Sequence, residues 1–230
     1  MPQTSPFGEP GKATLLVIGH DPRLQHSAAE ASTAFFFDYL TRPRPTWGPE
    51  ASKYDLAQAV WDYISDLAGR RVELDELMVT NLCNEFLPHA PGSGTVLIPD
   101  DTARDGVRAI EEILVAGRFR VIVPMAVQVF YHLCRLGFVD DELELVKAFV
   151  AGASPRPEEA ARGLYRPVGR SPFLAVCGRC FHHRGVPVVP VVHVKQWPLK
   201  ARLARYREPM RLAQLHVTRA VGPHNENPSQ

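Results

Sequence analysis

The sequence predicts an α/β fold: a three-layer α/β/α sandwich around a short, four-stranded, mainly parallel sheet. Three observations lead there. Four short apolar runs recur along the chain, and three of them are apolar almost throughout rather than alternating, as expected of strands covered on both faces. Segments with the 3.6-residue apolar period lie between them. Strand and helix therefore alternate, which favours parallel pairing through right-handed crossovers. With 230 residues the chain suits one core and is short for two, so we expect a single domain over 1–230 with loose ends at about 1–11 and 221–230, both rich in Pro, Gly or polar residues.

The first run, ATLLVIG (13–19), precedes a helix in which Leu56, Val60, Tyr63, Ile64 and Leu67 share one face and Gly69 suits the stop. The second, ELMVTNL (76–82), is followed by a helix starting near Asp101 or Thr102 and carrying Val107, Ile110, Ile113 and Leu114. The third, RVIVPM (120–125), leads into Ala126, Val129, Phe130, Leu133 and Leu136, with Gly137 as the end. The fourth, VPVVPVVHV (186–194), contains Pro187 and Pro190. Proline cannot donate to a ladder, so this strand is expected at a sheet edge. A last helix carries Leu199, Leu203, Tyr206 and Met210 on one face and basic residues on the other. The segments 41–51, 86–99 and 151–180 are too long for simple connections, and such loops are usually functional or mobile.

Composition narrows the class. Hydrophobic residues make up 45% and charged residues 22%, as in an ordinary globular protein. No apolar run approaches the roughly 20 residues that cross a bilayer, and no basic and apolar leader opens the chain. We expect a cytoplasmic protein with no membrane partner. Cys83, Cys134, Cys177 and Cys180 read as free thiols. Cys177, Cys180 and His182 or His183 have the spacing of half a zinc site; without a second ligand pair, no metal is expected. The net charge is only +1, but ten Lys and Arg and no acid fall between Ala160 and Arg207. A concentration of that kind suits a polyanion.

Ligands of open α/β sheets bind outside the carboxyl ends of the strands. The first strand delivers His20 and Asp21 there, the second Asn81, the fourth His193 followed by Lys195, Gln196 and Trp197. An acid, a carboxamide and an imidazole are thus brought to one edge.

In this order the motifs resemble the uracil-DNA glycosylase superfamily. Gly19-His20-Asp21-Pro22-Arg23 stands at its first-strand motif. Phe35, Phe36 and Phe37 stand where an aromatic stacks on the flipped base. Asn81 stands at the Asn that reads the base, and His193 at the His of the last strand. The resemblance spans roughly 13–215 and implies a monomeric DNA glycosylase acting on uracil or a related deaminated base, without metal or organic cofactor. It makes Asp21 and His193 catalytic, with Asp21 handling water and the cationic sugar and His193 stabilising the leaving base. His20, Asn81 and one of the three phenylalanines would hold that base. Arg23, Lys195, Gln196, Trp197, Lys200 and Arg202 would meet DNA. The family has Tyr where Arg23 stands, and a loop with prolines and serine where Val194, Lys195 and Gln196 follow His193. Trp197 takes the place of the intercalating Leu, as a wedge or as an anchor for the last helix. These departures leave an alternative: a catalytically inactive relative that binds nucleic acid as a module.

Overall fold

The computed structural model describes residues 4–20, 33–85, 95–140, 143–196 and 203–222. Its strands are β1 (Leu15–Gly19), β2 (Leu77–Asn81), β3 (Thr95–Val96), β4 (Val121–Pro124), β5 (Leu164–Tyr165), β6 (Phe181–His183) and β7 (Val186–Val188). Five of them form one sheet in the order β2-β1-β4-β7-β6, and β3 pairs with β5 separately. β1, β2, β4 and β7 are parallel, with Leu15 opposite Leu77 and Val121, and Gly19 opposite Asn81. Every residue of β1, β2 and β4 is buried, which is why these runs are apolar without alternation.

The sheet has five strands rather than the expected four, and β7 is not its edge. The added strand, β6, pairs antiparallel with β7 through a two-residue turn. Arg184 and Gly185 both take positive φ, 48° and 80°, as this tight hairpin geometry requires. The prolines are tolerated inside the sheet because Val189 and Val191 supply the N–H groups that reach Ile122 and Pro124 of the β4 segment. Pro187 falls before that ladder begins, so no bond is lost.

Both outer edges are covered. Residues 4–7, read from composition as part of a loose end, lie along β2. Phe7 and Val79 exchange backbone hydrogen bonds of 2.8 and 2.9 Å. At the other edge the Asp140 N–H donates to the His182 carbonyl at 2.9 Å. Covering exposed ladder groups in this way blocks edge-to-edge pairing.

The helices are α1 (Pro49–Ala68), α2 (Asp100–Ala116), α3 (Val127–Arg135), α4 (Glu144–Ala153), α5 (Pro157–Ala160) and α6 (Ala204–Val221). α1 ends as its sequence indicates, on Gly69 in the left-handed conformation. α6 runs well beyond the expected face, to Val221, and packs on α1; α3 packs on α4. α4 and α5 occupy part of 151–180 and the stretch before it, where no helix was expected. α2 starts on Pro99 and has no side-chain cap, and it crosses very close to the end of β2. A Cβ on Gly106 would sit 1.8 Å from the Leu82 carbonyl oxygen. Backbone cannot yield as a side-chain tip can, so Gly106→Ala is expected to destabilise by about 3 kcal/mol, read as a lower urea midpoint.

Candidate active site at the carboxyl end of the sheet

β1 and β2 stay paired past their last strand residues. The Leu82 N–H donates to the Gly19 carbonyl at 2.9 Å and the Cys83 N–H to the His20 carbonyl at 3.1 Å. Gly19 is the floor of the site. A Cβ on it would lie 2.3 Å from Phe35 Cε2 and 2.4 Å from Asn81 Oδ1, so the ring and the amide both rest directly over its Cα. Glycine is required here for close approach rather than for an unusual φ. The Phe35 ring also faces His193, with centroids 6.0 Å apart at 37°. Phe35 and Asn81, from two separate segments, therefore meet over one glycine, and His193, from a third, adjoins the Phe35 ring.

The three phenylalanines have separate places. They lie in a 3₁₀ segment, Ala34–Thr41, in which Phe35 and Phe36 have φ of 53° and 60°. Such left-handed conformations cost a non-glycine residue roughly 1–2 kcal/mol each. This kink turns Phe35 to the site, while Phe36 packs edge-on to Tyr39 at 6.2 Å. Phe37 is fully buried against Phe7 at 5.3 Å. Phe37 is thus a core residue and Phe36 a flank of this segment, and neither stands with Asn81 and His193 as the sequence reading allowed.

Asn81 is buried, and its amide orientation is set by the N-terminal segment. Asn81 Nδ2 donates to Thr4 Oγ1 at 3.4 Å, and the Thr4 hydroxyl donates to Asn84 Oδ1 at 3.1 Å. The Asn81 oxygen is left over Gly19, beside Phe35. Nothing in the sequence around Thr4 suggests this role.

His193 follows β7 on a backbone held from two sides. The hydroxyl of Tyr63, on α1, donates to the Val192 carbonyl at 2.9 Å; burial pushes this phenol well above its ordinary value, so it stays a donor. The Ala126 N–H donates to the Val191 carbonyl at 3.0 Å. Ala126 achieves this with φ 93° and ψ 153°, a region that is essentially glycine-only and costs about 1–3 kcal/mol. Ala126→Gly is expected to stabilise the protein by about 1 kcal/mol after the entropy of the unfolded chain is counted. A higher urea midpoint with unchanged slope would show it.

His20 turns from the end of β1 to Gln128 on α3. One turn further along α3, His132 is 1% exposed, and neither ring nitrogen has a hydrogen-bond partner among the described residues. Burial drives its pKa down from 6.5 to about 4, Arg135 and His20 adding to the effect and Asp100 opposing it. The unfolded chain therefore binds a proton here that the folded chain refuses between these two values. Stability should fall as pH drops through that window, by up to about 1.4 kcal/mol per unit. His132→Leu is expected to flatten that slope, measured by urea unfolding at pH 4.5 and 7.

Asp21, Arg23, Trp197, Lys200, Arg202 and the Lys195 side chain lie outside the described residues. Gln196 is exposed at the end of a short 3₁₀ turn, Val194–Gln196, whose backbone returns to the His193 carbonyl at 2.8 Å. Three of the described arginines in the acid-free stretch pair with acids from outside it. Arg162 and Arg166 pair with Glu159, at 3.6 and 3.1 Å. Arg184 pairs with Glu111 at 2.9 Å and sits in the β6–β7 turn, at the opposite end of β7 from His193. Among the described residues no His, Cys, Asp and Glu side chains gather in a group able to hold a metal ion, and no helix is long and apolar enough to cross a membrane. An open cavity of about 730 Å³ lies elsewhere, between the end of α1 and Gln214 of α6. It is lined by Asp62 and Arg71, which pair with each other, and it is remote from the strand ends. No protein-family model matches the chain, and no curated protein sequence matches it.

Proposed function

We propose that this chain is a DNA glycosylase that releases uracil or a related deaminated base from a flipped nucleotide. One observation supports this above the rest: Phe35 and Asn81 meet over Gly19 at the carboxyl end of the sheet, with His193 beside the Phe35 ring. We read the helices as two layers, because the β1–β2 and β2–β4 crossovers run in opposite directions and right-handedness sends them to opposite faces. That leaves the strand ends open for a ligand.

The residues suit the chemistry. Extruding a base from a duplex costs a few kcal/mol, and stacking on the Phe35 ring recovers part of it. Asn81 offers an acceptor and a donor to the N3–H and O4 of uracil, a pattern that cytosine does not match. Water attacks the sugar C1′, the bond from C1′ to N1 breaks with its electron pair going to the base, and negative charge collects on O2. A donor from His193 aimed at that oxygen stabilises the charge as it develops. Asp21, two residues past Gly19, orients the water and balances the cationic sugar.

The test is base release from oligonucleotides with one uracil, single- and double-stranded, read by alkaline cleavage beside thymine and hypoxanthine controls. Cleavage that disappears in Asp21→Asn supports the reading. Salt-sensitive DNA binding without cleavage by the parent chain replaces it with the binding-module alternative.

A further inference from the structure

Gln128 is the second residue of α3 and is 1% exposed. Backbone dictates the orientation of its amide. With Nε2 3.0 Å from the Val96 carbonyl and Oε1 2.7 Å from the Ile98 N–H, both contacts are hydrogen bonds. Turned the other way, oxygen would face oxygen and donor would face donor. In the satisfied orientation the second N–H of the amide points at Nε2 of His20. That nitrogen must then be an acceptor without a proton. A neutral imidazole carries one proton, so it sits on Nδ1.

We propose that Gln128 is a positioning residue that holds His20 as a neutral imidazole protonated on Nδ1, a fixed hydrogen-bond donor at the end of β1. The strained turn at Ala126 sets Gln128 in place, and the β3 segment locks its amide. The inference deepens the base-release reading and rests on it only for the use made of the donor: a partner for a carbonyl oxygen of the bound base. The tautomer follows from geometry alone. A proton on His20 Nε2, in the other neutral tautomer or in the cation, would need the Gln128 oxygen to face it and so set the amide against both of its backbone partners.

The experiment is long-range ¹H–¹⁵N spectroscopy of the full chain with ¹⁵N-labelled histidine at neutral pH, His20 being assigned by its absence in His20→Asn. The parent should show a protonated Nδ1 and a bare Nε2. Gln128→Leu removes the donor and should move His20 toward the Nε2-protonated form. Gln128→Glu supplies an acceptor and should move it there fully. Should Gln128→Glu fail to fold, Gln128→Leu decides alone, with the unchanged His132 signal reporting an intact core. A parent spectrum with the proton on Nε2, or one unaltered by either variant, overturns the proposal. In a chain that releases base, Gln128→Leu should slow release about tenfold, the worth of one hydrogen bond. An altered tautomer with an unaltered rate overturns the positioning role. A parent that releases no base sinks the glycosylase reading while the spectra still decide the tautomer.

Discussion

His193→Ala is expected to slow uracil release from a single-uracil strand by about 10²- to 10³-fold, with little change in affinity for the strand. The magnitude is that of removing one donor aimed at developing negative charge. The structure favours a loss in rate because the backbone leading into His193 is held by contacts of its own. Tyr63 holds the Val192 carbonyl and Ala126 holds the Val191 carbonyl, and neither contact uses the imidazole. Its ring is only partly buried and faces Phe35, so truncation leaves the stacking platform in place. Single-turnover kinetics against a binding isotherm would separate the two effects. A variant that binds more weakly but cleaves at the parent rate would make His193 a DNA contact rather than a stabiliser of the leaving base.

The strand ends were legible in the sequence because buried parallel strands are nearly continuous apolar runs, and their last residues stand out against them. Leu15–Gly19 and Leu77–Asn81 pair in register, so the groups that follow each run had to arrive together. That logic places Asn81 and His193 without any knowledge of contacts. It does not choose among Phe35, Phe36 and Phe37, since the choice is made by two successive left-handed residues that no periodicity reveals.

Other features depend on partners distant in the chain. Thr4 matters because residues 4–7 cover β2, and Gln128 because Val96 and Ile98 pass beside α3. Local pattern carries neither message. The ion pairs of the basic stretch were hidden for the same reason: Glu159 stands one residue before the acid-free run begins, and Glu111 is far from it in sequence, yet between them they pair with Arg162, Arg166 and Arg184. Charge counted along a chain is not charge gathered in space. The β6–β7 hairpin did leave a trace, the Arg184-Gly185 pair between short β-forming segments, but it lacks the Asn or Asp that makes such turns conspicuous.

Gly19→Ala is the sharper test of whether the site is assembled as described. The backbone at Gly19 is ordinary strand, so alanine brings no conformational strain, and the whole effect must come from contact. The new methyl would lie 2.3 and 2.6 Å from two carbons of Phe35 and 2.4 Å from Asn81 Oδ1. Asn81 is buried and tied to Thr4, so the Phe35 ring has to leave the floor of the site. Overpacking of this kind costs about 1–3 kcal/mol, and uracil release should fall by at least about 10²-fold as platform and reading group separate. Phe35→Ala in the same chain removes most of the clash. The double variant should therefore recover about 1 kcal/mol or more relative to additivity, seen in the urea midpoint, yet stay slow because nothing stacks on the base. Full activity in Gly19→Ala would mean that Phe35 and Asn81 do not work together over this glycine, and the glycosylase reading would lose the observation that supports it most.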